Sequence, residues 1–65
     1  MEDNNVIKLM KLIEKEFMYA AEQSVKFVEG NNSAGTRVRK TMQNIKNLSQ
    51  EVRKEVQKQK NTVAA

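Results

Sequence analysis

Lysine and arginine side chains are concentrated in the second half of this 65-residue chain. Residues 30–65 carry eight of them against two glutamates, a net charge of 8 − 2 = +6. Residues 1–29 carry four lysines against six acidic side chains, a net charge of 4 − 6 = −2. Ammonium and guanidinium groups in this number suit a polyanion, because each neutralised phosphate releases condensed counterions whatever the base sequence.

Other chemistry is limited by what the composition lacks. The chain contains no His and no Cys, so it has no conventional nucleophile and base pair, no zinc site and no redox thiol. A chain of 65 residues can hardly enclose a pocket of several hundred cubic ångströms. We therefore expect no enzyme activity, no metal, no cofactor and no small-molecule substrate.

The elements that position the basic residues are predicted to be two helices. Gly30 and the Asn-rich stretch around it form the only clear turn signal in a chain without Pro. We predict a single domain, 1–65, with a helix at 5–29, a turn at 30–32, a basic helix at 33–60 and a frayed tail at 61–65. Gly30 suits the left-handed position that ends a helix. Candidate N-terminal caps are Asp3, Asn4 or Asn5 for the first helix, and Asn32 or Ser33 for the second.

Apolar or small residues repeat at alternating steps of three and four in both halves, as in a coiled coil. The stripes are Val6, Met10, Ile13, Phe17, Ala20, Ser24 and Phe27, and then Ala34, Val38, Thr41, Ile45, Leu48, Val52 and Val56. Two such stripes joined by a short turn predict an all-α, antiparallel two-helix hairpin. Gly35 falls in the first turn of the second helix, where it is either simply tolerated or lets another group approach the backbone.

The apolar surface of the first helix is wider than one partner helix can cover. Its stripe is flanked by Ile7, Met18, Ala21 and Val25 on one side and by Leu9 and Leu12 on the other. A chain this short also lacks the disulfides or metal that usually stabilise small domains. We expect a homodimer, or a higher oligomer, in which two hairpins form a four-helix bundle.

The exposed side of the second helix is predicted to be a basic strip. At 100° per residue, seven side chains fall away from the Val38/Ile45/Val52 stripe, and Arg37 lies nearer its edge, beside the turn. The seven are Arg39, Lys40, Lys46, Arg53, Lys54, Lys58 and Lys60.

Three partners remain open on this evidence. They are nucleic acid, a protein bound by a small coiled-coil scaffold or adaptor, and an anionic membrane surface. The membrane is the poorest match because the basic side is not the apolar side. The start of the chain is acidic and no run approaches the roughly 18 apolar residues of a membrane span, so we expect a soluble, cytoplasmic protein.

The turn and second helix carry a motif that resembles a known family. The run from Glu29 through Gly30-Asn31 and Ala34-Gly35 to Arg37-Val38-Arg39-Lys40, with a later Arg53-Lys54, is similar to the chlamydial linker-histone-like family and its short relatives in Bacteroidetes-type bacteria. That family opens a basic helix with Gly-Asn-Lys-Ala-Ala/Gly-x-Arg-x-Arg and ends it with an aromatic residue before Arg-Lys. This chain differs in having Asn32 or Ser33 where the Lys stands, and Val52 where the aromatic residue stands.

The resemblance implies a histone-like, nucleoid-associated protein that binds double-stranded DNA through its turn and second helix. We accordingly expect phosphate contacts with little sequence preference. The candidate DNA-binding residues are Arg37, Arg39, Lys40, Lys46, Arg53, Lys54 and Lys58. The alternative is a coiled-coil adaptor that binds protein partners and no DNA.

Overall fold

The computed structural model describes residues 4–64, with side chains described for residues 4–62. Helix α1 spans Asn5–Val28 and helix α2 spans Asn32–Ala64. They pack on each other as an antiparallel hairpin of 53 × 19 × 11 Å. Residues 4–64 contain helix and turn and no strand, which confirms the all-α, two-helix prediction. Assembly with a second hairpin into a bundle stays a prediction.

The turn between the helices depends on Gly30. This residue has φ +110°, a left-handed conformation that glycine adopts without steric cost. The Asn31 N–H donates to the Lys26 carbonyl and the Gly30 N–H donates to the Phe27 carbonyl, both at 3.0 Å. These two bonds form a Schellman motif, so the last carbonyls of α1 have partners and the chain reverses direction within a few residues.

Asparagine side chains begin both helices. The Asn4 side-chain oxygen accepts the backbone N–H two residues on at 2.8 Å, and the Asn31 side-chain oxygen accepts the N–H three residues on at 3.1 Å. Asn4 was among the predicted caps of α1. The predicted cap of α2, Asn32 or Ser33, is wrong by one residue, because the Schellman turn leads directly into the helix after Asn31.

Helix ends differ from the sequence prediction by one residue at the turn and by more at the chain end. α1 ends at Val28 and not at residue 29, and α2 begins at Asn32 and not at residue 33. α2 also continues through Ala64, so residues 61–64, predicted to be a frayed tail, are helical. Residue 65 lies outside the described residues.

Buried and half-buried residues mark the line of contact between the helices, which we call the seam. On α1 they are Val6, Leu9, Ile13, Glu16, Ala20 and Gln23, and on α2 they are Ala34, Val38, Thr41, Ile45, Leu48, Val52, Glu55 and Gln59, while the half-buried Ser24 and Gly35 lie beside this line. Both sets keep the alternating steps of three and four expected for coiled-coil packing. The most deeply buried are Ala20, Gln23, Ala34 and Thr41, all small or polar, so the helices approach closely in the half of the hairpin near the turn.

The α1 stripe predicted from the sequence is wrong at three positions, because Met10, Phe17 and Phe27 are 51%, 63% and 50% exposed. The seam contains Leu9 and the polar side chains Glu16 and Gln23, each one residue before a predicted stripe position. Those two polar side chains lie in the seam because α2 offers them hydrogen-bond donors. On α2 the predicted stripe is wrong at Val56, which is exposed, while Glu55 takes the seam position.

One long side of the hairpin holds the side-chain hydrogen bonds between the helices, and we call it the polar face. Arg37 Nη1 donates to Gln23 Oε1 at 3.1 Å, Asn44 Nδ2 to Glu16 Oε1 at 3.0 Å, and Asn5 Nδ2 to Glu55 Oε1 at 3.2 Å. At the open end, Asn4 and Gln59 exchange two bonds of 3.0 and 3.2 Å. These bonds fix the register of α1 against α2.

The opposite long side exposes apolar side chains from both helices, and we call it the apolar face. Its exposed large members are Ile7, Met10, Phe17 and Val28 from α1 and Met42 and Val56 from α2. Near the turn, Gly35 lets the Phe27 ring lie against the α2 backbone, since a Cβ at residue 35 would stand 2.6 Å from that ring. The close approach considered in the sequence analysis is therefore the reason for a glycine here.

Candidate nucleic-acid interface

Four basic residues form a straight row along α2. They recur every seventh residue, which places them on the same side of the helix at intervals of about 10.5 Å, given a rise of ~1.5 Å per residue. All four are exposed. We call them the basic row, and they are Arg39, Lys46, Arg53 and Lys60.

No acidic side chain of α2 lies in this row. The two glutamates of the helix, Glu51 and Glu55, belong to the other side: Glu55 lies in the seam and bonds to Asn5, and Glu51 borders the same groove as Asn5 on the polar face. The positive charges of the row therefore have no carboxylate of their own helix beside them. α2 carries a net +6 over residues 32–64, and the basic row supplies four of its eight cations.

Lys40 and Lys54 extend the basic surface around the outer side of α2. They are fourteen residues apart, so they share one angular position. The exposed residues Gln43, Gln50 and Gln57 lie between this position and the basic row. Lys54 Nζ lies 3.6 Å from Glu51 Oε2, with the two side chains 70% and 58% exposed. An exposed pair of this kind contributes at most about 1 kcal/mol, so Lys54 remains free to exchange the glutamate for another anion.

Arg37 differs from the other predicted contacts. Its guanidinium donates to Gln23, a side chain only 4% exposed, so one of its nitrogens is already used in joining α2 to α1. Arg37 lies at the polar face, on the other side of the seam from the basic row. The remaining donors of its guanidinium face solvent, as the residue as a whole is exposed.

Lys58 also lies away from the basic row. It borders a groove between the helices on the polar face, together with Asn5 and Lys8 of α1. It also borders a groove on the outer side of α2 with Arg53 and Lys54. The structure thus brings five of the seven predicted residues onto the outer surface of α2, places Lys58 at its border and places Arg37 beside the seam.

Lys60 completes the basic row but was not among the predicted contacts. The signal that identifies it is the repeat of α2 itself, in which a seam residue is followed by a cation at Val38-Arg39, Ile45-Lys46, Val52-Arg53 and Gln59-Lys60. A uniform step of seven keeps a residue type on one side of a coiled-coil helix. The second helix therefore contains a seven-residue repeat, and the basic row results from this repeat.

Two further site types are not found within the described part of the chain. Among residues 4–64, no group of acidic side chains could hold a metal ion. Neither α1 nor α2 has a stretch apolar and long enough to cross a bilayer.

Comparison with known proteins identifies a family. Neither the curated proteins nor the solved structures that were searched contain a match to this chain. The model of the family described as histone H1-like protein Hc1 matches residues 5–62, which takes in α1, the turn and α2 almost completely. With the family's pattern extending over both helices and the basic row, this chain belongs to the family of histone H1-like Hc1 proteins.

Proposed function

We propose that this protein is a histone-like, nucleoid-associated protein that binds double-stranded DNA through the phosphates, with little dependence on base sequence. The outer surface of α2 makes the contacts. The observation that carries the proposal is the basic row, four exposed cations at regular steps without an intervening carboxylate. Membership of a histone H1-like family supports the same partner.

The chemistry of the row favours phosphates over bases. Lys and Arg on one straight helix side meet a surface of evenly distributed negative charge, and DNA carries one charge per about 1.7 Å of axis. The first and last residues of the row are 21 positions apart on the helix, about 31 Å, close to the length of one DNA turn. The described aromatic residues are Phe17, Tyr19 and Phe27, all on α1, so α2 offers no stacking platform for single strands.

A salt series tests this mechanism. If each subunit neutralises about four to six phosphates, the logarithm of the affinity falls with the logarithm of salt concentration at a slope of about −4 to −5 per subunit. Fluorescence anisotropy with two duplexes of unrelated sequence measures the slope and the sequence preference together. Tight binding that hardly changes between low and moderate salt would contradict phosphate contacts.

Matched charge removals locate the contacts. The triple variant Arg39→Gln, Lys46→Gln, Arg53→Gln removes three cations from α2 and is expected to reduce the salt slope by about 3. The control Lys11→Gln, Lys15→Gln, Lys26→Gln removes the same charge from α1 and is expected to keep the slope. Equal losses in both variants would indicate that net charge, and not the basic row, determines binding.

We also propose that the protein associates with itself through the apolar face. Six exposed large apolar side chains on one side of a hairpin this small are the reason. A coiled-coil adaptor would use the same face for another protein and would leave duplex DNA unshifted in a gel even at low salt. In gently lysed cells, we expect the protein to be found with the DNA in the nucleoid fraction. Added salt is expected to release it from that DNA.

A further inference from the structure

The apolar face and the basic row lie on the same side of the hairpin. On α2 the residues next to the seam, away from the polar face, are Met42, Ser49 and Val56, and the basic row comes next around the helix. The basic row is therefore the α2 border of the apolar face. The corresponding border on α1 is formed by Ile7, Glu14, Ala21 and Val28.

We propose that a second copy of this chain covers the apolar face, with α1 of each copy packed on α2 of the other. The dimer then has its two α2 helices at diagonal corners, and their outer basic surfaces point in opposite directions. Each dimer would hold two DNA duplexes, one on each side. The last step rests on the proposed DNA-binding function, whereas the arrangement of the helices does not.

A second copy is the occupant that the composition of the face favours. Exposed large apolar side chains come from both helices, so two identical faces can cover each other along most of the hairpin. At one level of the face a large group also lies beside a small one. In the bonded pairs Gln23–Arg37, Glu16–Asn44 and Asn5–Glu55 the two residue numbers add to 60, so Met10 lies within one residue of the level of Ser49.

Charge decides which helix packs on which. α1 carries four lysines and three glutamates, a net +1 over residues 5–28, whereas α2 carries +6 over residues 32–64. Packing α2 on α2 would place two basic rows side by side, well within the Debye length of about 8 Å at physiological salt. Packing α1 on α2 avoids this repulsion.

The same arrangement gives the basic row an acidic neighbour. Residues of one chain whose numbers add to 60 share one level. The two-fold axis that packs α1 on α2 runs parallel to the helices and keeps these levels, so Glu14 of the partner subunit comes level with Lys46 at the border of the interface. Glu14 is the only acidic residue on the α1 border of the apolar face among the described residues. An exposed border pair contributes less than about 1 kcal/mol, so its effect is to select the arrangement more than to stabilise it.

The two possible arrangements predict different numbers of DNA duplexes bound by each dimer. With α1 on α2, the basic surfaces face away from each other and the dimer joins two duplexes. With α2 on α2, both basic surfaces lie on one side and contact a single duplex. The orientation of two helices therefore determines whether the protein bridges DNA or coats it.

Single cysteines introduced into this Cys-free chain distinguish the arrangements. Phe17→Cys and Met42→Cys are placed at nearly the same level on α1 and α2 of the apolar face. An oxidised mixture of ¹⁵N-labelled Phe17→Cys and unlabelled Met42→Cys, after exchange of subunits, is expected to give mainly the mixed dimer by mass spectrometry. Each variant oxidised alone is expected to cross-link at least tenfold less, because identical residues are then diagonal and beyond the 4.4–6.8 Å Cα separation of a disulfide.

Two results would overturn the arrangement. Efficient cross-linking of each variant with itself, without the mixed product, would indicate α1 on α1 and α2 on α2. Absence of any cross-link, with a monomer by sedimentation of the unmodified protein, would show that the face is not covered by a second copy. Leu12→Cys, on the polar face, is the control for random collision and is expected to stay uncross-linked.

Capture of a second duplex tests the DNA step. Beads that carry an unlabelled duplex and bound protein should retain a second, fluorescent duplex. The variant Met10→Gln, Phe17→Gln should still bind the duplex on the beads but should retain at least tenfold less of the fluorescent duplex. Normal gel shifts without capture would refute bridging and leave the proposed function intact. Absence of any gel shift would refute the proposed function, while the cross-linking result would still decide the arrangement.

Discussion

The two long sides of the hairpin are joined in different ways. On the polar face, side-chain hydrogen bonds connect the helices at four residue pairs, from Asn4–Gln59 at the open end to Gln23–Arg37 near the turn. On the apolar face, the described side chains form no hydrogen bond between the helices, and Met10 and Phe17 stand more than half exposed. The polar face is bonded within one chain, whereas the apolar face leaves large side chains exposed.

This difference assigns the register of the helices and the proposed association with a partner to two different sides of the hairpin. Directional hydrogen bonds specify register, because a shift of one residue leaves their donors and acceptors unpaired. Apolar contact specifies little about register but contributes most of the free energy of association. The polar face therefore sets the pairing of α1 with α2, and the apolar face stays available for the self-association that we propose.

The largest expected effect concerns the apolar face. Met10→Gln together with Phe17→Gln removes two large apolar side chains from each subunit, so the dimer loses about 3–6 kcal/mol of association free energy. The dimer dissociation constant measured by sedimentation equilibrium should rise at least a hundredfold. Leu12→Gln is the matched control, since Leu12 is 48% exposed but borders the polar face. A similar loss with Leu12→Gln would show that general hydrophobicity, and not this face, drives association.

A smaller effect is expected on the polar face. Gln23→Ala removes a side chain that is 4% exposed and accepts the Arg37 guanidinium, so the free energy of unfolding should fall by about 1–2 kcal/mol. Urea unfolding followed by circular dichroism at constant protein concentration measures it. Gln43→Ala removes the same group from an exposed position of α2 and should change stability by less than about 0.5 kcal/mol. If the two variants lose equal stability, the bond to Arg37 does not hold the hairpin together.

The smallest effect concerns the contact between Phe27 and Gly35. Gly35→Ala should gain up to about 1 kcal/mol of helix stability, but its new Cβ displaces the Phe27 ring and offsets that gain. The gain should therefore emerge only when Phe27→Ala is already present. Thermal unfolding of the two single variants and the double variant measures this coupling. An identical effect of Gly35→Ala in both backgrounds would mean that the ring is not held against α2.

The sequence predicts the two helices and their turn because the signals are local. Gly30 is the only strong break in the chain, and the steps of three and four continue on both sides of it. The angular position of the α1 seam is not predictable in the same way. Phe17 is more apolar than Glu16, and Gln23 is as polar as its neighbour Ser24. The donors brought by Asn44 and Arg37 from α2 allow Glu16 and Gln23 to occupy the seam.

The candidate interface shows the same limit. The exposed positions of Arg39, Lys46 and Arg53 follow from helical periodicity alone, and the step of seven adds Lys60. That Arg37 bonds to Gln23 depends on how α1 and α2 are aligned, which no local pattern of residues specifies. The cap at Asn31 was missed because it depends on the backbone path through Gly30.

The arginine side chains offer the most direct test of where DNA binds. The chain has three, Arg37, Arg39 and Arg53, and each gives its own Nε–H signal in a ¹⁵N-labelled sample titrated with a short duplex at low salt. We predict large changes for Arg39 and Arg53, on the basic row, and a smaller change for Arg37, which is bonded to Gln23. Changes confined to Arg37, or no change in any of the three while the duplex binds, would contradict binding through the outer surface of α2.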